Sequence, residues 1–153
     1  MLIAVNAGNS HVLLGGYEED AQVFAASIAT EPKQTGDDYA CKLRQVFDLY
    51  GVPSGRIRGA VLSSVVPGMV SVLEDALRLL GVTDVIEVSS GVKTGLNIRS
   101  EQPRQVGSDR VAAAVAARAK GKLPCVVVCL GTATTFTVLD AAGALGGSAI
   151  TAG

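Results

Sequence analysis

The sequence has no tryptophan, a single histidine (His11) and only 4% aromatic residues among its 153. So few flat rings leave no platform on which bases could stack. Thirteen Lys and Arg stand against 14 Asp and Glu, a net charge of −1, and the basic residues are scattered rather than gathered into a stripe. Nucleic acid is therefore not an expected partner. The three cysteines, Cys41, Cys125 and Cys129, are odd in number and lack the paired spacing of a zinc site, so they read as reduced thiols. No apolar run approaches the ~20 residues of a membrane-spanning helix, and no basic leader precedes an apolar core. A membrane is likewise not an expected partner, and the expectation is a soluble, cytoplasmic chain without a targeting segment.

What is present is apolar and well patterned, with 48% hydrophobic and 18% charged residues, enough to bury a sizeable core. Residues 1–5 form an apolar run, Asn6-Ala7-Gly8-Asn9-Ser10-His11 reads as a turn, and residues 12–17 as a returning strand. A third strand is expected over residues 22–28. Tyr39, Leu43, Val46, Phe47 and Tyr50 recur at helical spacing behind acidic Asp37 and Asp38, and Gly51 supplies a stop. Residues 60–65 read as a strand, and Pro67 as the opening of a second helix carrying Val70, Leu73, Leu77 and Leu80 before Gly81. A short strand is expected at residues 85–88. The loop over 89–103 is long for a compact domain, as functional loops often are. A helix over 108–120 then leads to the strand that begins at Cys125. This alternation predicts an α/β fold.

The chain also resembles itself. Asn6-Ala7-Gly8-Asn9-Ser10-His11-Val12-Leu13-Leu14 lies over Cys129-Leu130-Gly131-Thr132-Ala133-Thr134-Thr135-Phe136-Thr137: a strand end, a glycine two residues on, small polar residues, then a return strand. One reading is simply two glycine-containing hairpins. The other is a pair of phosphate-binding turns, one from each half of a duplicated fold, in which glycine lets backbone N–H groups approach phosphates and Ser or Thr hydroxyls add donors.

Five stretches in order carry a family resemblance: Ala7-Gly8-Asn9-Ser10, Ser63-Ser64-Val65-Val66-Pro67, Gly91-Val92-Lys93-Thr94-Gly95-Leu96, Pro103-Arg104-Gln105-Val106-Gly107-Ser108-Asp109-Arg110 and Gly131-Thr132-Ala133-Thr134-Thr135. The chain resembles the amino-terminal portion of the type III pantothenate kinases, within the actin, Hsp70 and sugar kinase superfamily. The resemblance implies a ribonuclease H-like (actin-like ATPase) domain over residues 1–120 and the start of a second, incomplete copy over 121–153. It implies ATP-dependent phosphorylation of pantothenate to 4'-phosphopantothenate, the first step of coenzyme A synthesis, in a homodimer using Mg²⁺ and a monovalent cation, K⁺ or NH₄⁺.

Site residues follow from the same resemblance. Asp109 is the expected general base, and Ser100, Gly107, Ser108, Asp109 and Arg110 the pantothenate contacts, a guanidinium fork suiting the carboxylate. Read without the resemblance, Ser108 and Asp109 are helix caps. Asn6, Gly8, Asn9, Ser10, His11 and Thr132 are the expected ATP contacts. Cys129 stands where the family holds a cation with aspartate, Asn6 where the first turn begins with aspartate, and Ser100 where a tyrosine is common. Asn6 retains a coordinating oxygen but no charge, and a soft thiol suits hard cations poorly. The alternative is a non-catalytic relative acting as a binding or regulatory protein. Flanked by Val128 and Leu130, Cys129 is expected to be an inert, largely buried thiol.

Overall fold

The computed structural model describes residues 1–89, 92–99 and 106–153. The chain divides into two compact units, Met1–Glu87 and Val88–Gly153, taken here in turn.

The first unit is a mixed five-stranded sheet built from β1 (Leu2–Ala7), β2 (His11–Glu18), β3 (Ala21–Ala29), β4 (Gly59–Ser64) and β5 (Val85–Glu87). The strand order is β3-β2-β1-β4-β5. Hairpins make the β1–β2 and β2–β3 pairs antiparallel, whereas β1–β4 and β4–β5 are parallel. Parallel pairing requires crossovers, and α1 (Gly36–Leu49) and α2 (Met69–Leu79) supply them. Period-two alternation on β1 buries Ile3, Val5 and Ala7. They join Val12, Leu14 and Leu62 from the neighbouring strands and Tyr39, Leu43, Phe47, Met69, Leu73 and Leu77 from the two helices in one apolar cluster. Each fully buried large side chain contributes roughly 1.5–3 kcal/mol.

Local chemistry explains the helix bounds. Thr35 closes a capping box on α1: its Oγ1 accepts from the Asp38 N–H at 3.3 Å, and Asp38 Oδ2 accepts from the Thr35 N–H at 2.9 Å. The hydrogen bonds from Thr35 hold the Asp38 carboxyl below its ordinary value. The second helix begins at Met69 behind Gly68 rather than at Pro67, because Gly68 takes φ of 79°, a left-handed conformation that glycine adopts without penalty. Tyr39 is fully buried, its hydroxyl accepting from the Glu31 N–H at 2.8 Å, which accounts for it as packing.

The second unit contains α3 (Ser108–Ala119) and an antiparallel meander of β6 (Cys125–Cys129), β7 (Ala133–Leu139) and β8 (Leu145–Ala152). Val106, Val111, Ala114, Leu139 and Leu145 form its core, with Cys125 and Val127 packed against it. Residues 92–99 are stitched to the β7–β8 hairpin. Leu145 N–H donates to Asn97 O and Arg99 N–H to Leu145 O, each at 2.8 Å, and Arg99 Nη1 pairs with Asp140 Oδ2 at 3.1 Å. Arg118 Nη1 also donates to the Gly95 carbonyl. β8 is absent from the sequence reading, since Gly146 and Gly147 interrupt its pattern; pairing with β7 creates it.

Candidate functional site

The first turn hangs from the carboxyl end of β1. Gly8 N–H donates to His11 O at 2.9 Å, closing the bend. Thr30, beyond the end of β3, clamps it from the side: its Oγ1 donates to Gly8 O at 2.7 Å and its N–H to Ser10 O at 3.0 Å. Asn9, Ser10 and His11 are exposed, and Asn6 and Gly8 half-buried. Register places Asn6 beside Ser63 on β4, itself buried. The Asn6 Oδ1 is buried and has no hydrogen-bond partner among the described residues. An orphaned buried acceptor costs roughly 1–3 kcal/mol unless water or a cation meets it.

The second turn follows β6. Cys129 pairs with Thr135 across the β6–β7 ladder, and Gly131 and Thr132 lie exposed between the strands. The end of β8 runs so close to this turn that a Cβ on Gly153 would strike the Gly131 carbonyl. Cys129 is exposed, which corrects the expectation of a largely buried thiol. The packed core of this unit takes in Cys125 and Val127, the first and middle residues of β6, so the strand leaves cover before Cys129. The group that is buried without a partner among the described residues is its neighbour's hydroxyl, Thr135 Oγ1.

The third constellation opens α3. Gly107 is the cap residue, its carbonyl accepting the first intrahelical bonds from the N–H groups of Arg110 and Val111 at 3.1 Å each, and as a glycine it brings no side-chain cap of its own. Ser108 and Asp109 thus lie within the first turn rather than at the cap position, where an acid still suits the helix dipole. Asp109 and Arg110 fold back over Gly107: a Cβ there would lie 2.6 Å from Asp109 Oδ1 and 3.6 Å from both Nε and Nη2 of Arg110. Arg110 Nη1 donates to Ser148 Oγ on β8 at 2.8 Å. The expected contact Ser100, together with Gly91 and Pro103-Arg104-Gln105 of the motifs, lies outside the described residues.

Within each unit, then, expected residues do come together: Asn6, Gly8, Asn9, Ser10 and His11 around one turn, and Gly107, Ser108, Asp109 and Arg110 at one helix start. Thr30, Thr135 and Ser148 were not singled out from sequence as site residues. Thr30 and Ser148 reach their partners across 22 and 38 residues of chain, and no local pattern marks such a pairing. Among the described residues no three His, Cys, Asp or Glu side chains gather as a metal cage. Asn6 Oδ1 and Thr135 Oγ1 are oxygen donors of the kind hard cations take, and the exposed Cys129 thiol is not.

Solved structures with similar coordinates define the class. The ethanolamine utilization protein EutJ from Carboxydothermus hydrogenoformans superposes with a TM-score of 0.57 at 16% identity, over 98% of this chain and 51% of that one. A putative N-acetylglucosamine kinase from Porphyromonas gingivalis superposes at 0.52 with 13% identity, over 99% and 47%. The fold is the mixed α/β fold of actin-like ATPases and sugar kinases. The chain belongs to the type III pantothenate kinase family, whose profile matches residues 2–153. A type III pantothenate kinase of Syntrophotalea carbinolica is 39% identical over 153 residues, covering 100% of this chain and 60% of its own length. One of Shouchella clausii is 41% identical over 143 residues, covering 92% and 56%. The chain thus spans little more than half the length of these relatives.

Proposed function

We propose that this chain works in ATP-dependent phosphorylation of pantothenate to 4'-phosphopantothenate, the entry to coenzyme A synthesis. The observation that carries the reading is the cluster at the start of α3, where the Asp109 carboxylate and Arg110 guanidinium lie over Gly107 in a chain of this family. In this reading Asp109 is the general base. It takes the proton of the pantothenate hydroxyl as that oxygen bonds to the γ-phosphorus, the bond to the β–γ bridging oxygen breaks, and ADP leaves. Arg110, the Gly107 and Ser108 backbone, and Ser100 hold pantothenate. Asn6, Gly8, Asn9, Ser10 and His11 at one turn and Thr132 at the other meet the ATP phosphates.

Asn6 Oδ1 is the group of this chain that would face the water shell of a Mg²⁺ bound with the phosphates, and such an ion would supply neutralisation of their charge. For K⁺ or NH₄⁺ the Thr135 hydroxyl fits better than Cys129. The division into actin-like domains at 1–120 and 121–153, a homodimer and a cytoplasmic setting belong to the same reading. No helix among the described residues is long and apolar enough to cross a membrane.

A second reading, a non-catalytic relative that binds pantothenate, draws on Asn6 and Cys129 in place of acids. One experiment separates the two. Asp109→Asn should cut phosphotransfer by ~10²–10⁴-fold while leaving the fold intact, because Asp109 lies in the first turn of α3 and is not its cap residue. An unchanged rate removes Asp109 from the chemistry. Pantothenate binding without any turnover in the unmodified protein favours the non-catalytic relative.

A further inference from the structure

We infer that Tyr39 is a positioning residue for the first turn, acting through Thr30, an inference that rests on the reading of that turn as a site for ATP phosphates. The ring of Tyr39 is fully buried on the inner face of α1 with Leu43 and Phe47, so it does not touch a substrate itself. Its hydroxyl, however, accepts from the Glu31 N–H at 2.8 Å. Glu31 follows Thr30, whose Oγ1 donates to Gly8 O at 2.7 Å and whose N–H donates to Ser10 O at 3.0 Å. The Glu31 N–H lies in the peptide plane that also carries the Thr30 Cα and carbonyl, so holding that N–H fixes the plane from which Thr30 reaches the turn. A side chain of the core is thereby joined to Gly8 and Ser10 across two residues of backbone.

The rest of the connection transmits a shift rather than absorbing it. Glu31 O accepts from the Gln34 N–H at 3.0 Å, closing a turn with Pro32 at its second position, and Thr35 then opens α1 through its capping box. At the far end, Tyr39 shares one apolar cluster with Val5 and Ala7 of β1 and Val12 of β2, the strands that carry the first turn. The turn is therefore held by its own strands and, from the side, by Thr30 on a backbone set by Tyr39. Without the hydroxyl the ring would still pack, but the Glu31 N–H would lose its partner and the Thr30 plane could tilt. A turn that presents backbone N–H groups to phosphates binds less well when its supports are loose.

The test follows the amides of the first turn by NMR as ATP is added to the intact protein, to Tyr39→Phe, to Thr30→Val and to the double variant. Tyr39→Phe should raise the Kd for ATP by about twofold to fivefold, within the span of one neutral hydrogen bond. Hydrogen exchange at the Gly8 and Thr30 N–H groups should quicken ahead of the amides of β4. Thr30→Val should also weaken ATP, and the double variant should lose less than the two single losses multiplied, because both act on one clamp. Phe47→Leu loosens the same core and leaves the bonds of residues 30–35 in place, so it should lower the melting temperature without changing the Kd. Unchanged ATP binding in Tyr39→Phe, losses that multiply in the double variant, or an equal loss with Phe47→Leu overturns the positioning role while the reading of the turn stands. If ATP leaves the turn amides of the unmodified protein unmoved, that reading falls, and the role of Tyr39 with it.

Discussion

Cys129 and Thr135 face each other across the β6–β7 ladder, an exposed thiol opposite a buried hydroxyl that lacks a partner among the described residues. Accessibility is the direct consequence for the thiol. A thiol-specific reagent should modify Cys129 and the exposed Cys41 of the native protein ahead of the half-buried Cys125, read by mass spectrometry of digests. Protection of Cys129 in the native protein would contradict the structure at this turn.

Introducing carboxylates tests the roles proposed for Asn6 and Cys129. If the proposed ATP and cation roles of these positions hold, Asn6→Asp with Cys129→Asp should raise potassium-dependent ATP turnover above either single change, since each adds a charge. Turnover of the four proteins with and without potassium gives the answer. A double variant no better than the singles would mean these positions do not act on one cluster.

Thr30 holds the first turn through its hydroxyl bond to Gly8 O at 2.7 Å. Thr30→Val keeps the shape and removes the bond, so stability should fall by about 1 kcal/mol in denaturant unfolding. The KM for ATP should rise severalfold with the KM for pantothenate unchanged. An unaltered KM for ATP would separate this turn from nucleotide binding.

Gly107 has φ of −58°, open to any residue, so what a larger residue there would meet is spatial: the movable end of the Asp109 side chain. Gly107→Ala places a methyl 2.6 Å from Asp109 Oδ1 and must displace that carboxylate. Phosphotransfer should fall by roughly 10²-fold, the scale of a ~1 Å misplacement, while the melting temperature holds. Full activity in this variant would show that Asp109 does not need its observed position.

Asp140 organises the β7–β8 hairpin. Its Oδ1 accepts from the N–H groups of Ala144 at 2.8 Å and Ala142 at 2.9 Å, and Arg99 lies beside it. The Ala144 N–H first, then Ala142 and Arg99, hold its carboxyl below the ordinary 3.8. A depressed folded value means stabilisation that is complete above the unfolded value and is lost as pH falls through the folded one. Asp140→Asn should therefore melt lower than the unmodified protein at pH 7, and the gap should close in acid. A gap independent of pH would assign the effect to shape rather than charge.

Much of the fold was legible because it is written in short-range periodicity. The spacing of Tyr39, Leu43 and Phe47 marks α1 and its buried face, and alternation with a glycine bend marks the β1–β2 hairpin. The motif residues at the start of α3 and at the first turn could likewise be picked out, since each set lies within a few consecutive positions. Tertiary structure alone decided the rest. The order β3-β2-β1-β4-β5 sets Asn6 against Ser63, and pairing with β7 turns the glycine-broken stretch after Leu145 into a strand that carries Ser148 to Arg110. The end of the core at Val127 leaves Cys129 in solvent although its neighbours are apolar. Each of these depends on which distant segment lies alongside, and that is settled by the burial and hydrogen bonding of the assembled sheet, not by the residues on either side in the chain.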